Sequence, residues 1–326
     1  MFTSGGFLLM NARDDDSQMT LSIAAVERDT GLGKDTLRVW ERRYGFPVPG
    51  RDAHDERIYP MAQVKKLRVI KRLMDQGHRP GRIVAQSMEA LQQLSQGEAS
   101  RQPGHAPDAG PVREDLMAYI AMLKTQDHAG IRHELLKTLA QEGLQRFVTD
   151  VVAPLTTLVG EAWAHGDLAV HEEHLYTECV GSVLRQAIVT IPKAASGAEP
   201  AVLLTTFPQE AHGLGLLMVE SLLTLQGCRC ISLGTQTPVR DIAQAATAHG
   251  ADVVALSFSV NMNANHVVDG LMALNLLLPT SVEVWVGGRA SALRRRQIAH
   301  VHVLDDLNAI TEAVKHWRRL KLRPHD

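Results

Sequence analysis

The chain has little that would fix it in a membrane or an oxidising compartment. No stretch reaches the roughly 18–20 consecutive apolar residues that a membrane-spanning helix requires, so no bilayer partner is expected. Residues Met1–Met19 carry a short apolar patch and then Arg13-Asp14-Asp15-Asp16. They lack the basic start and long apolar region of a secretory signal and read as a flexible tail. The three cysteines, Cys179, Cys228 and Cys230, are an odd number with no disulfide-like spacing, which indicates a reducing, cytoplasmic setting. Cys228 and Cys230 alternate along an expected strand and share one face, as core residues do. No internal repeat is present, and a net charge of −2 points to no partner by itself.

What is present is unevenly distributed. Thr20 to Ala85 holds 14 Lys/Arg against 8 Asp/Glu, a net of +6 that leaves −8 for the rest. A basic end on an acidic remainder suits nucleic-acid binding by that end only. Leu21 to Val26 begins a short helix with Ser22 as cap, Thr30-Gly31-Leu32-Gly33 makes a tight turn, and Lys34 to Tyr44 forms a second helix closed by Gly45-Phe46-Pro47. Two helices across a Gly-containing turn make a helix-turn-helix, whose second helix enters the DNA major groove. Pro47 to Tyr59 reads as a hairpin wing, and Pro60 to Asp75 as a further basic helix. The run Thr36-Leu37-Arg38-Val39-Trp40-Glu41-Arg42-Arg43-Tyr44-Gly45, followed by Arg57-Ile58-Tyr59, resembles the MerR family of transcription regulators. That resemblance implies a winged helix-turn-helix domain over 20–90. It makes Arg38, Arg42, Arg43, Arg57 and Tyr59 the candidate contacts to double-stranded operator DNA. Leu37 and Trp40 read as core, and Glu41 as half of an internal ion pair.

Residues 91–112 read as a linker, since Gly97 to Val112 is rich in Gly, Ser, Pro and Ala. Over 113–195 the pattern is helical, with candidates Arg113 to Lys124, Ala129 to Gln141, Gly143 to His165 and Leu168 to Ile191, and with Asp127 and Asp167 as caps. Four helices with short connections suggest a four-helix bundle. From 196 to 326 apolar strands alternate with helices. Strands are expected at Ala201 to Thr206, Arg229 to Leu233, Asp252 to Ser257, Val282 to Val286 and Val301 to Leu304. Such alternation indicates an α/β domain with a doubly wound parallel sheet.

The most informative residue is His212, in Glu210-Ala211-His212-Gly213-Leu214-Gly215, between the first of these strands and the helix Leu214 to Leu225. Open α/β sheets bind ligands at such strand-to-helix turns. A neighbouring acid orients an imidazole and raises its basicity. After Gly215 come 41 residues, then Ser257-Phe258-Ser259; after those come 27, then Gly287-Gly288. The pattern resembles the flavodoxin-like cobalamin-binding module that holds the corrinoid base-off, with a histidine in place of the cofactor's own nucleotide base. By that resemblance Glu210, His212, Gly215, Ser257, Gly287 and Gly288 bind cobalamin, and His212 ligates cobalt. Two positions depart from the family pattern: Glu210 stands where Asp is commoner, and Ser259 where Leu is usual. The loops after the first, third and fourth strands would bring these elements together at one sheet edge.

Upstream, Trp163 is followed after nine residues by Glu173-His174. This resembles the cap of the CarH/LitR group of MerR-type photoreceptors, which implies that Trp163, Glu173 and His174 cover the upper face of adenosylcobalamin, or another cobalamin. Light-sensing members have a histidine directly after this Trp. Here it is Ala164, with His165 next and His171 nearby, and one helical position turns a side chain by about 100°.

The leading reading is therefore not an enzyme. It is a cobalamin-dependent transcription regulator, a repressor, light-responsive through adenosylcobalamin photolysis that changes a homo-oligomer (dimer or tetramer) and its DNA binding. Three alternatives stay open: a cobalamin-binding regulator without light sensing, a corrinoid methyl-carrier protein, and a regulator whose sheet domain docks a partner protein.

Overall fold

The computed structural model describes residues 20–75, 78–99, 114–192, 199–260, 262–290, 293 and 298–321. The chain divides into an N-terminal and a C-terminal unit. The Met1–Met19 tail and most of the expected linker lie outside the described residues.

The N-terminal unit runs β1 (Thr20–Ser22), α1 (Ile23–Thr30), α2 (Lys34–Tyr44), β2 (Gly50–Arg51), β3 (Arg57–Pro60), α3 (Met61–Asp75), α4 (Pro80–Ile83) and α5 (Met88–Ala99). Ser22 caps α1 as expected, its Oγ accepting from the Ala25 N–H at 3.3 Å. Leu21 and Ser22 themselves are not helical. They pair with Tyr59 and Ile58, so the three-stranded antiparallel sheet has the order β1-β3-β2. The bend between α1 and α2 needs Gly31 at φ +70°, and α2 ends on Gly45 at φ +67°. Asp35 in the first turn of α2 and Arg42 and Arg43 in the last suit its dipole. Arg68 holds both oxygens of Asp29 at 2.8 and 2.9 Å and ties α3 to α1. Leu37, Trp40, Tyr59, Leu67, Ile70 and Leu91 share the core. Burial of Leu91 corrects the expected boundary: a linker does not start at 91, because α5 carries that leucine into the core and runs on to Ala99.

The C-terminal unit begins with α6 (Glu114–Lys124), α7 (His128–Arg146), a π-helical segment (Phe147–Val152), α8 (Ala153–His165) and α9 (Val170–Thr190). Asp127 caps α7 through the Gly130 N–H at 2.9 Å. Asp167 does not cap α9. Ala169 occupies that position, and the Glu172 carboxylate accepts its N–H at 2.6 Å. The expected single helix from Gly143 to His165 also needs correction. Gly143 leaves helical geometry (φ 75°, ψ 158°), and six π-helical residues precede Pro154. Proline lacks an N–H and crowds the carbonyl four residues back, which a wider turn accommodates. The Val152 carbonyl accepts from Thr156 Oγ1 at 2.7 Å and from the buried Tyr176 hydroxyl at 3.3 Å.

The sheet domain follows: β4 (Ala201–Thr205), α10 (Leu214–Leu225), β5 (Arg229–Gly234), α11 (Val239–Ala248), β6 (Val253–Phe258), α12 (Ala264–Leu277), β7 (Glu283–Gly288), β8 (Val301–Leu304) and α13 (Ala309–Lys321). All strands are parallel in the order β5-β4-β6-β7-β8. The central strands are buried on both faces, which explains their unbroken apolar runs. The chain steps outward from β4 to β5 and then crosses back past β4 to β6, so the switch point of the topology lies between β4 and β6. One apolar core joins Phe147, Val151 and Tyr176 of the bundle to Leu216 and Leu222 of α10 and to Val202 and Leu204 of β4. Bundle and sheet therefore fold as one body. No described helix is long and apolar enough to cross a membrane.

Candidate functional site

The turn after β4 is fixed from beneath. Thr206, wholly buried, donates from Oγ1 to the Glu210 carbonyl at 2.6 Å and accepts from the Gln236 N–H at 2.8 Å. Phe207 packs edge-on against Phe258 with centroids 5.3 Å apart. That stacking requires Gly270, because a Cβ there would come within 2.5 Å of the Phe207 ring. The backbone of the turn is thus set before His212 is reached.

Glu210 is only 1% exposed, yet fully engaged. Oε1 accepts from His212 Nδ1 at 2.6 Å and from the His212 backbone N–H at 3.1 Å, while Oε2 accepts from the Ser259 N–H at 2.7 Å. Burial pushes this carboxyl up. The hydrogen bonds from His212 and Ser259 outweigh it and hold the group below the ordinary carboxylate value. The hydrogen bond to Glu210 raises the His212 pKa against the effect of burial, and the nearby Glu173 carboxylate adds to the rise. Because a carboxylate only accepts, the neutral ring carries its proton on Nδ1, and Nε2 is the nitrogen with the lone pair, on a side chain 62% exposed. Sequence reasoning treated Ser259 as a departure and overlooked Thr206. Both support the acid, but neither role shows in spacing.

Ser257 lies at the end of its strand as expected, and β7 runs two residues past its expected end at Val286 to include Gly287 and Gly288. In the ladder Ser257 faces Gly287, and Phe258 faces Gly288. A Cβ on Gly215 would collide with Ser257 Oγ, and one on Gly288, at φ +111°, with the Phe258 carbonyl. These glycines are required for the close approach of α10, β6 and β7. The approach borders a cavity of about 250 Å³, walled by Gly215, Ser257, Gly287 and Gly288 and by Ala153 and Thr157 of α8. A larger cavity of about 1080 Å³ lies around β8 and α13 and includes none of the residues from Glu210 to Gly215.

From the bundle, α8 and α9 bring Trp163, Glu173 and His174. Trp163 is partly buried against the shared core. Glu173 accepts from Thr177 Oγ1 at 2.8 Å and lies 3.7 Å from His174, whose side chain is 70% exposed. The Glu173 charge is the smallest of the causes that raise the His212 pKa. His171 is occupied elsewhere, its Nε2 lying 3.3 Å from Gln126 Nε2. The side chains of Ala164 and His165 are outside the described set.

Among the described residues no group of three or more His, Cys, Asp or Glu could enclose a metal ion. A lone imidazole with its second nitrogen locked suits a metal that brings its other ligands, as cobalt in a corrin does. The exposed His212 side chain, and a slot lined by Gly215, Ser257, Gly287 and Gly288 from the same motifs, fit that group.

On the N-terminal unit, Arg38, Arg42 and Arg43 are exposed along α2. Arg38 contacts the exposed Asp35 at 3.0 Å, and Arg43 lies over the Tyr44 ring. Arg57 pairs with Glu41 at 3.0 Å, the internal ion pair expected of Glu41, so part of its guanidinium is already engaged. Tyr59 requires correction as a DNA contact. It lies in the core with Leu37 and Trp40 at 0% exposure, and its buried hydroxyl has no hydrogen-bond partner among the described residues.

Models of known families match all three regions. The MerR HTH family regulatory protein covers residues 21–85, one B12 binding domain covers 114–187, and a second covers 200–312. The HTH-type transcriptional repressor CarH of Myxococcus xanthus is 32% identical over 293 residues, 87% of this chain and 95% of the relative. The chain belongs to the CarH family of MerR-type regulators. CarA of the same organism, also an HTH-type transcriptional repressor, is 30% identical over 74% of this chain and 77% of its own length. A monomethylamine corrinoid protein of Methanosarcina barkeri, 14% identical, superposes with a TM-score of 0.51 over 63% of this chain and all of its own, which shows the shared bundle-and-sheet fold. This CarH-family member is accordingly a DNA-binding, cobalamin-dependent regulator.

Proposed function

We propose that this regulator represses transcription as a homo-oligomer on operator DNA and that adenosylcobalamin makes it responsive to light. The observation that carries the reading is the His212–Glu210 pair: a buried carboxylate holds one imidazole nitrogen and leaves the other for a sixth metal ligand. In this reading His212 would ligate cobalt, and Glu210, supported by Ser259, keeps the ring turned and its proton on Nδ1. Gly215, Ser257, Gly287 and Gly288 leave the slot for the displaced nucleotide tail. Trp163 covers the upper face, with Glu173 and His174 supplying polar contacts beside it. Adenosylcobalamin supplies a cobalt–carbon bond that green light breaks. What Trp163 and Glu173 cover then changes, and α8 and α9 belong to the same packed core as α10. A ligand shifts such an arrangement only by its different affinity for two states. Linked subunits turn that difference into DNA affinity through effective concentration. Arg38, Arg42, Arg43 and the free part of Arg57 contact the DNA.

The test loads the protein with adenosylcobalamin in darkness and follows oligomer size and operator binding before and after green light. A dark oligomer that binds DNA and is lost on illumination supports the reading; identical behaviour in both conditions rejects light sensing. A second reading, cobalamin control without light, is favoured by Ala164, which offers no imidazole beside Trp163, and by the engagement of His171 with Gln126. It expects illumination to yield aquocobalamin rather than a stable bis-imidazole spectrum. His212→Ala should abolish base-off binding in either case and leave DNA control intact only if the sheet domain docks a protein instead.

A further inference from the structure

Arg289 follows Gly287-Gly288 and stands on the wall of the 250 Å³ cavity. Its backbone is fixed by an N–H bond to the Phe258 carbonyl at 2.9 Å. Its side chain is exposed and donates from Nη1 to Thr157 Oγ1 of α8 at 3.3 Å. Among the described residues no carboxylate forms an ion pair with it. Asp305 and Asp306 border the same cavity, but neither forms an ion pair with Arg289, and Asp306 is occupied in accepting the Ala309 N–H at 2.9 Å. A guanidinium with most of its donors free thus sits beside a largely apolar slot. Arginine in that state suits a phosphate, which takes two parallel N–H bonds.

The occupant proposed for the slot carries one such charge. The nucleotide tail of cobalamin joins the corrin through a phosphodiester, and its base and ribose are neutral. We propose that Arg289 pairs with this phosphodiester and so selects corrinoids that keep their nucleotide tail. The inference rests on the reading of His212 as the cobalt ligand and the adjoining slot as the tail site. Thr157 acts as a positioning residue, holding the guanidinium until the ligand arrives. The alternative is a latch in which Arg289 only ties the turn after β7 to α8.

Titrating the full-length protein with aquocobalamin and with cobinamide, which lacks the whole nucleotide, separates these. Arg289→Ala should weaken cobalamin about tenfold or more, the size of a lost charge-assisted hydrogen bond, and leave cobinamide unchanged. Arg289→Lys should recover part of the loss, because the charge remains without the fork. An equal loss for both ligands identifies the latch and overturns the proposal, as does no loss for either. Unchanged thermal melting of the apo variant assigns a ligand-specific loss to the contact. Failure of the wild-type protein to bind either corrinoid would instead overturn the His212 reading beneath it.

Discussion

Replacing Glu210 by Gln keeps the length of the side chain and removes its charge. In the native site the carboxylate is almost fully buried and accepts from His212 Nδ1 at 2.6 Å, from the His212 N–H at 3.1 Å and from the Ser259 N–H at 2.7 Å. Glutamine has one carbonyl oxygen, so at least one of these donors loses its acceptor, and the remaining bonds lose their charge assistance. A hydrogen bond to a charged group contributes about 1.5–3 kcal/mol. Losing the outer partner of a metal-bound histidine typically lowers affinity by about 10- to 100-fold, the same scale of energy. Two opposed effects follow. With neutral Gln beside it, His212 is a weaker ligand, and its raised pKa falls toward the ordinary 6.5, so protons compete with cobalt less. Cobinamide is the suitable probe because it carries no base of its own. Its apparent affinity, measured by absorbance against pH, should form a plateau at high pH and fall tenfold per pH unit below the His212 pKa. Glu210→Gln should lower the plateau about 10- to 100-fold and move the bend to lower pH. A plateau of native height, or a bend that stays or moves upward, would refute the coupling of Glu210 to the metal ligand.

Three further outcomes follow from the same geometry. In the apo protein the His212 pKa is raised, so its contribution to stability is complete below 6.5 and is lost as pH rises through the folded value. Glu210 is lowered, so its contribution is complete above 4.5 and is lost as pH falls through its folded value. Thermal melting should therefore peak between those limits, and Glu210→Gln should flatten the alkaline side. Gly270→Ala should force Phe207 off Phe258 and destabilise the C-terminal unit by about 1–3 kcal/mol in urea unfolding, with the His212 bend disturbed as well; native stability would show that the ring yields freely. Arg42→Ala should weaken binding across DNA sequences and lower the salt slope by about 1, whereas Tyr59→Phe should leave DNA affinity unchanged, since the hydroxyl is buried and makes no hydrogen bond among the described residues.

Much of this molecule is legible in one sequence because the elements obey strong local rules. The end of α2 follows from Gly45 and the start of α10 from Gly213, and the central strands follow from apolar runs buried on both faces. The His212 motif is legible because close approach of α10 to β6 restricts side chains, as Gly215 against Ser257 shows. What was not legible depends on tertiary partners. Leu91 resembled the edge of a linker until the core claimed it. The π-helical turn before Pro154 is a distortion inside a pattern that still reads as helix. Tyr59 and Arg57 belong to one motif and share one face of β3, yet the core covers the first and the second pairs with Glu41 at the core's edge.

The substitutions that depart from the family pattern are themselves instructive. Glu in place of Asp adds one methylene between backbone and carboxylate, which carries the oxygens deeper into the fold. A leucine at 259 would offer only its backbone N–H there. Serine adds a hydroxyl, and its side chain, together with the N–H, contributes to lowering the Glu210 pKa. The longer acid and the polar residue thus answer one another across the β4 and β6 turns: an acid reaching further into a buried site needs an additional donor to remain ionised. On this argument the two departures form a single change that keeps the proton on His212 Nδ1. Ser259→Leu alone should then impair ligation, and Glu210→Asp introduced beside it should restore part of the cobinamide plateau. If each substitution merely adds its own loss, the pair is independent and the carboxylate is held by His212 alone.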